Sequence, residues 1–226
     1  MNQESRPVAV VTGASRGAGK GIALALGGRG YTVYVTGRSE RAGDAPLPGT
    51  IHDTAAEIDR LGGHGIAVSC DHGDDEQVRA LFERIAREQD GRLDILVNNA
   101  CAIPDELVQP GGLWEKPLSL LSLLNVGMRS NYVASYYAAP LMVARRSGLI
   151  VHTSSFGGTC YMHGPAYGAG KAAVDKMAHD MAVELRPHNV AVVSIWMGLL
   201  KTERTDVALS DPELARHYEH LLETME

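Results

Sequence analysis

The chain has 226 residues, 45% hydrophobic and 21% charged, which is enough apolar surface for one buried core of ordinary domain size. A formal net charge of -6 without any Lys/Arg run excludes the electrostatic footprint of a nucleic-acid binder. The longest mostly apolar run, Val190 to Leu200, is far short of the ~20 residues of a membrane span; the polar start MNQESRP does not read as a signal peptide, and three cysteines without CxxC spacing suggest neither a disulfide framework nor a metal site. A reducing, cytoplasmic setting is the expectation.

Along the chain, short apolar runs alternate with helical patterns. Strands are predicted at Val8–Val11, Thr32–Val35, Ile66–Val68, Leu93–Val97, Leu149–Val151 and Val190–Trp196. Most are continuously apolar, as parallel strands covered on both faces should be. Between them, Thr54, Ile58 and Leu61 share one helix side, and Val78, Leu81, Phe82 and Ile85 form a stripe at helical spacing. Val174, Met177, Ala178, Met181 and Leu185 form another. Ser39 to Thr50, rich in Gly and Pro, reads as a surface loop. Six strands alternating with helices predict an α/β fold: one domain built on a doubly wound parallel sheet, with its ligand crevice at the carboxyl ends of the strands.

Three sets of residues at those strand ends carry chemistry. Thr12-Gly13-Ala14-Ser15-Arg16-Gly17-Ala18-Gly19 follows the first strand and opens a helix. Glycines there let backbone N–H groups approach a pyrophosphate at the helix N-terminus. The second strand ends in Gly37-Arg38, with no acid to bond a ribose 2′-hydroxyl. Arg38 and Arg16 instead suit a 2′-phosphate, which favours NADP(H), with NAD(H) as the alternative. Tyr167 and Lys171 are four apart at the start of a long helix and share a face. An ammonium near a phenol lowers its pKa, so that Tyr167 can trade a proton with a carbonyl or alcohol oxygen. Ser154-Ser155 ends the fifth strand a short loop upstream, and a hydroxyl there would sit in the same crevice.

Thr12-Gly13-x-x-x-Gly17-x-Gly19, Asn98-Asn99-Ala100, Ser155 and Tyr167-x-x-x-Lys171 stand in the order and spacing of the short-chain dehydrogenase/reductases, which the chain resembles from about Pro7 to Thr202. Runs such as Asn125-Val126-Gly127-Met128-Arg129 resemble the dehydrogenase/reductase family member 1 type within it. The resemblance implies a Rossmann-like sheet, with Gly13, Ser15, Gly17, Ala18 and Gly19 holding the pyrophosphate and ribose. It implies Asp71 on the adenine, Asn99 and Ala100 beside the cofactor, and Thr202 on the nicotinamide carboxamide or pyrophosphate. Tyr167 becomes the acid/base, Lys171 the ribose-binding partner that tunes it, and Ser155 the residue that orients the carbonyl. For the family's helix-kinking Asn, both Asn125 and Asn131 qualify, and Asn125 is preferred.

The sequence departs from the family at Cys101, where Gly is usual, and at Met197, where Pro is usual. A helical stretch from about Asp211 stands where the family has a seventh strand, so the last edge strand is expected to be missing. The implied function is hydride transfer between NADP(H) and a small carbonyl or alcohol substrate, in a homodimer or homotetramer. An NAD-linked dehydrogenase and a non-catalytic cofactor sensor are the competing readings. Cys160, His163 and Trp114 are candidate pocket residues, and Glu203, Arg204 and Asp206 fall in a lid region. His52, His64, His217 and His220 have no metal-ligand companions.

Overall fold

The structure, a computed structural model, describes residues 6–198 and 200–210. Six strands, β1 (Val8–Val11), β2 (Thr32–Gly37), β3 (His64–Ser69), β4 (Ile95–Asn98), β5 (Gly148–Ser154) and β6 (Val190–Trp196), form one sheet in the order β3-β2-β1-β4-β5-β6. Every pairing is parallel. β1 and β2 are buried along their whole length, which explains their unbroken apolar sequence. β3 and β6 are the edges among the described residues, and both mix buried or half-buried with exposed positions. The predicted strands all form, although β3 starts two residues earlier and β5 ends three later than their apolar cores. The stretch after Asp211, with His217 and His220, lies outside the described residues.

Helices cover both faces. α1 (Gly17–Gly27) and α2 (Ile51–Arg60) pack on one side, over Val11, Val33, Val35 and Val97. On the other side lie α3 (Asp75–Glu88), α5 (Ser130–Arg145) and α6 (Pro165–Leu185), over Val8, Val10, Leu96, Ile150 and Val192. Caps fix two of the entries: Thr50 accepts the Asp53 N–H ahead of α2, and Asp74 accepts those of Glu76 and Gln77 ahead of α3. The chain ends its described part in α7 (Glu203–Ser210).

One helix is broken. A short α4 (Ser122–Leu124) runs into a π-helical turn at Asn125–Arg129 before α5 begins. Val126 leaves helical geometry (φ -110°, ψ 97°), and Gly127 takes φ 139°, a region that residues with a side chain rarely enter. The Gly127 N–H donates to Ser130 Oγ at 3.0 Å, and Asn131 Nδ2 donates to the Gly127 carbonyl at 2.9 Å. Two side chains of α5 therefore hold the kink open.

Candidate active site

The strand order reverses between β1 and β4, which splays the two following loops apart and leaves a crevice at their carboxyl ends. The buried Thr12 hydroxyl ties the two ends together, accepting the N–H groups of Asn99 and Ala100 at 2.8 and 2.9 Å. Asn99 Nδ2 answers by donating to the carbonyls of Thr12 at 2.8 Å and Gly13 at 3.1 Å. Sequence reading places Thr12 at the head of the glycine motif without giving it a role of its own. Its position between strand and glycine turn was the only signal, and its role depends on a partner 87 residues away.

The glycine turn is shaped by close approach. A Cβ on Gly19 would stand 2.4 Å from Asn99 Nδ2 and 2.5 Å from the Gly13 carbonyl, so only glycine lets the helix start pack on the turn. Gly13, Ser15, Gly17, Ala18 and Gly19 all fall on this turn and the first residues of α1. Arg16 curls back onto the 39–50 loop, donating to the Pro48 carbonyl at 2.9 Å, Ser39 Oγ at 2.9 Å and the Gly49 carbonyl at 2.8 Å. Arg38, largely exposed, lies 3.6 Å from the Asp71 carboxylate, which also accepts the Gly73 N–H at 2.8 Å. Arg16, Arg38 and Asp71 thus gather at the ends of β2 and β3. Thr202 reaches the turn from the far end of the chain, its methyl group 3.8 Å from where a Gly17 Cβ would be.

Tyr167 and Lys171 stand one turn apart on α6. Tyr167 Oη meets Ser155 Oγ at 3.0 Å, and Lys171 Nζ lies 5.7 Å from the Tyr167 ring centre while donating to the Thr153 carbonyl at 3.1 Å. Ser154 Oγ, by contrast, is buried with no hydrogen-bond partner among the described residues. Of the two serines, the structure brings Ser155 to the tyrosine. Burial pushes the Tyr167 phenol above its usual 10, the Ser155 hydrogen bond pulls it back and Cys101 adds to the rise. The net direction is upward, against the downward tuning expected from Lys171, whose Nζ donates to a backbone carbonyl instead.

A small, partly open cleft adjoins this group, lined by Cys101, Leu123, Gly127, Ala166, Tyr167, Gly170 and Lys171. Gly127, at the centre of the kink, lines the same cleft, and a Cβ there would stand 2.9 Å from Cys101 Sγ. Asn125 is not brought to the cleft: it is exposed, with its Nδ2 beside Gly73. Asn131, 3% exposed, supports the kink from beneath. Sequence reading also missed Gly157, where a Cβ would stand 2.8 Å from the Tyr167 ring. The His163 and Tyr167 rings form a T-shaped pair with centres 5.1 Å apart, consistent with the place of His163 in the preceding loop. Trp114 is 81% exposed, which excludes a core anchor. No group of His, Cys, Asp and Glu among the described residues is disposed to hold a metal ion.

The sequence profile of the short chain dehydrogenases matches residues 7–213. The chain belongs to the short-chain dehydrogenase family. Within it, the chain is 48% identical over 199 residues to dehydrogenase/reductase SDR family member 1 of Mus musculus, and equally to that of Homo sapiens. Each alignment takes in 87% of this chain and 61% of the relative, so the chain spans under two thirds of the length of these relatives. A solved metagenomic short-chain oxidoreductase in complex with NADP shares the fold at a TM-score of 0.75. It is 31% identical and covers 85% of this chain and 82% of its own. Like the fold of this family, the chain forms a crevice at its strand ends, and Ser155, Tyr167 and Lys171 lie together there.

Proposed function

We propose that the chain is an NADP(H)-dependent oxidoreductase that interconverts a small, largely apolar carbonyl compound and its alcohol. The observation that carries this reading is the 3.0 Å contact between Ser155 Oγ and Tyr167 Oη at the edge of a cleft that Lys171 also lines. The glycine turn fits a dinucleotide. Its Gly17 N–H already donates to an anionic partner, the Glu203 carboxylate, at 2.8 Å, so the turn has the polarity that a pyrophosphate needs.

Gly13, Ser15, Gly17, Ala18 and Gly19 would hold the pyrophosphate, Arg16 and Arg38 a 2′-phosphate, Asp71 the adenine, Asn99 and Ala100 the centre of the crevice, and Thr202 the nicotinamide end. The bound nicotinamide supplies or accepts a hydride. Every other part of the reaction falls to the protein. Ser155 holds the substrate oxygen against Tyr167. Because burial keeps the phenol protonated at neutral pH, Tyr167 acts as the acid in carbonyl reduction and as the base in the reverse direction. Lys171 steadies Tyr167 and presents its ammonium to the ribose. Asn131 holds the carbonyl of Gly127, which lines the cleft. Cys101, Leu123 and Ala166 give the cleft its apolar lining, which favours a ketone or aldehyde with an apolar substituent.

The three cysteines are free thiols, which suits the reducing cytoplasm. No helix of the described residues is long and apolar enough to cross a membrane. Tyr132 and Tyr136 on α5 and Val183 on α6 are exposed apolar groups that suit pairing of these helices in a homodimer or homotetramer. Titration with NADPH and NADH, followed by turnover of carbonyl substrates by wild type and Tyr167→Phe, tests the reading. NADPH preference with turnover lost in the variant supports it. NADH preference transfers the reaction to NAD(H), and equal turnover by the variant removes Tyr167 from the chemistry.

A further inference from the structure

We propose that the segment beginning at Thr202 is a built-in plug of the cofactor cradle, in which the Glu203 carboxylate stands on the glycine turn as a substitute for the cofactor's diphosphate and must leave before a dinucleotide can bind. The proposal rests on the reading of the turn as a dinucleotide site.

The first observation is the contact itself. The Gly17 N–H donates to Glu203 Oε2 at 2.8 Å, across 186 residues of sequence. Gly17 is the first residue of α1, and that helix has nothing local to serve its N-terminus. Its first turn contains no acidic residue, and Arg16 at the N-cap makes no side-chain capping bond. The unpaired N–H groups and the positive end of the helix dipole therefore draw their anion from the other end of the chain. A carboxylate and a diphosphate cannot share this spot, because both are anionic and both need the same N–H.

The second observation is how the segment is held. Thr202 and Thr205 form a tight turn, with their hydroxyls 2.7 Å apart, Thr205 Oγ1 donating to the Leu200 carbonyl at 2.7 Å and the Asp206 N–H reaching the Thr202 carbonyl at 2.9 Å. That turn fixes Glu203 at the start of α7, aimed at the glycine turn. On the far side, Arg204 pairs with Asp105 at 3.3 Å, so the segment straps across the crevice from Gly17 to the loop after β4. The Arg204–Asp105 pair is exposed and contributes little to holding the strap down. The closure therefore depends on one half-buried carboxylate contact, which a competing anion can break.

The third observation concerns charge. Glu203 acts electrostatically on Arg16, one of the two arginines proposed for the 2′-phosphate. Displacement of the carboxylate clears the cradle and leaves the Arg16 guanidinium, charged throughout, to face the incoming phosphates instead of Glu203. Closing and opening thus set the fraction of protein competent to bind, and the apparent affinity is lowered by that fraction.

The test is a fluorescence titration with NADPH of wild type, Glu203→Ala and Glu203→Gln, with thermal unfolding as the check on folding. Glu203→Ala is expected to bind NADPH about tenfold more tightly than wild type, the scale of one charge-assisted hydrogen bond. Glu203→Gln keeps the acceptor but loses the charge, and tightens binding by a smaller factor. It carries the comparison if Glu203→Ala does not fold. In stopped-flow mixing, the wild-type binding rate levels off with NADPH concentration because opening limits it, whereas the variant rate keeps rising. Equal or weaker NADPH binding by both variants overturns the plug and leaves the cofactor reading intact. Failure of wild type and variants alike to bind NADPH or NADH overturns both.

Discussion

The hydroxyls of Ser155 and Tyr167 meet at 3.0 Å, and the Gly157 N–H donates to the same serine oxygen at 3.2 Å. The serine is thereby fixed from one side and free to face a substrate oxygen from the other. Its hydrogen bond is also what holds the Tyr167 phenol down against the upward push of burial. Ser155→Ala removes that restraint, so the Tyr167 pKa rises. Reduction requires the protonated phenol, and its alkaline limit therefore moves to higher pH, while kcat falls about 10²-fold from loss of the oriented donor. A pH profile of kcat/KM for wild type and variant measures both effects.

Acid should weaken the fold through two buried histidines. His72, whose Nε2 lies 2.7 Å from Thr36 Oγ1, and His152, fully buried in β5, are both pushed down from 6.5 to about 4, chiefly by burial. Above pH 6.5 both are neutral whether folded or unfolded, and they impose no penalty. Between about 6.5 and about 4 the unfolded chain takes up protons that the folded chain refuses, so stability falls with pH by up to ~1.4 kcal/mol per unit for each histidine. Denaturant unfolding at several pH values checks the slope. His152→Asn should flatten about half of it.

The kink separates two asparagines six residues apart. Asn131 is buried and bonds the Gly127 carbonyl, whereas Asn125 is exposed beside Gly73. Asn131→Ala leaves that carbonyl short of a partner and is expected to cost about 1–3 kcal/mol of stability and to lower kcat. Asn125→Ala should change stability by less than about 0.5 kcal/mol and leave kcat near wild type. Unfolding curves and turnover of the two variants decide between them.

Arg38 is set by its charge rather than by packing: it is largely exposed, with Asp71 at 3.6 Å. Arg38→Glu should weaken NADPH binding about tenfold or more through the 2′-phosphate, and NADH binding far less. Parallel titrations with the two dinucleotides test this, and equal losses would contradict the 2′-phosphate role.

Much of this molecule could be read from its sequence, for identifiable reasons. Val8–Val11 and Thr32–Gly37 are buried on both faces, so burial writes itself as unbroken apolar residues. Tyr167 and Lys171 are four apart on one helix, and a local spacing carries their relationship. Other relationships are not local. The bond from Gly17 to Glu203 joins residues 186 apart, and neither residue type announces it. The resemblance implies a helix kink at Asn125 or Asn131 but does not place it at Gly127, because its cause there is a positive φ stabilised by side chains further on. Gly157 cannot carry a side chain because the Tyr167 ring packs against it, which is a fact of tertiary packing.

The central claim is that Tyr167 moves the proton in an NADP(H)-linked reaction. Its most direct test is the rate of NADPH consumption with an apolar ketone, measured for wild type and Tyr167→Phe beside an NADPH binding titration of each. The account predicts that the variant binds NADPH within about twofold of wild type while its turnover falls by about 10³-fold or more. Turnover in the variant within a few-fold of wild type would contradict it.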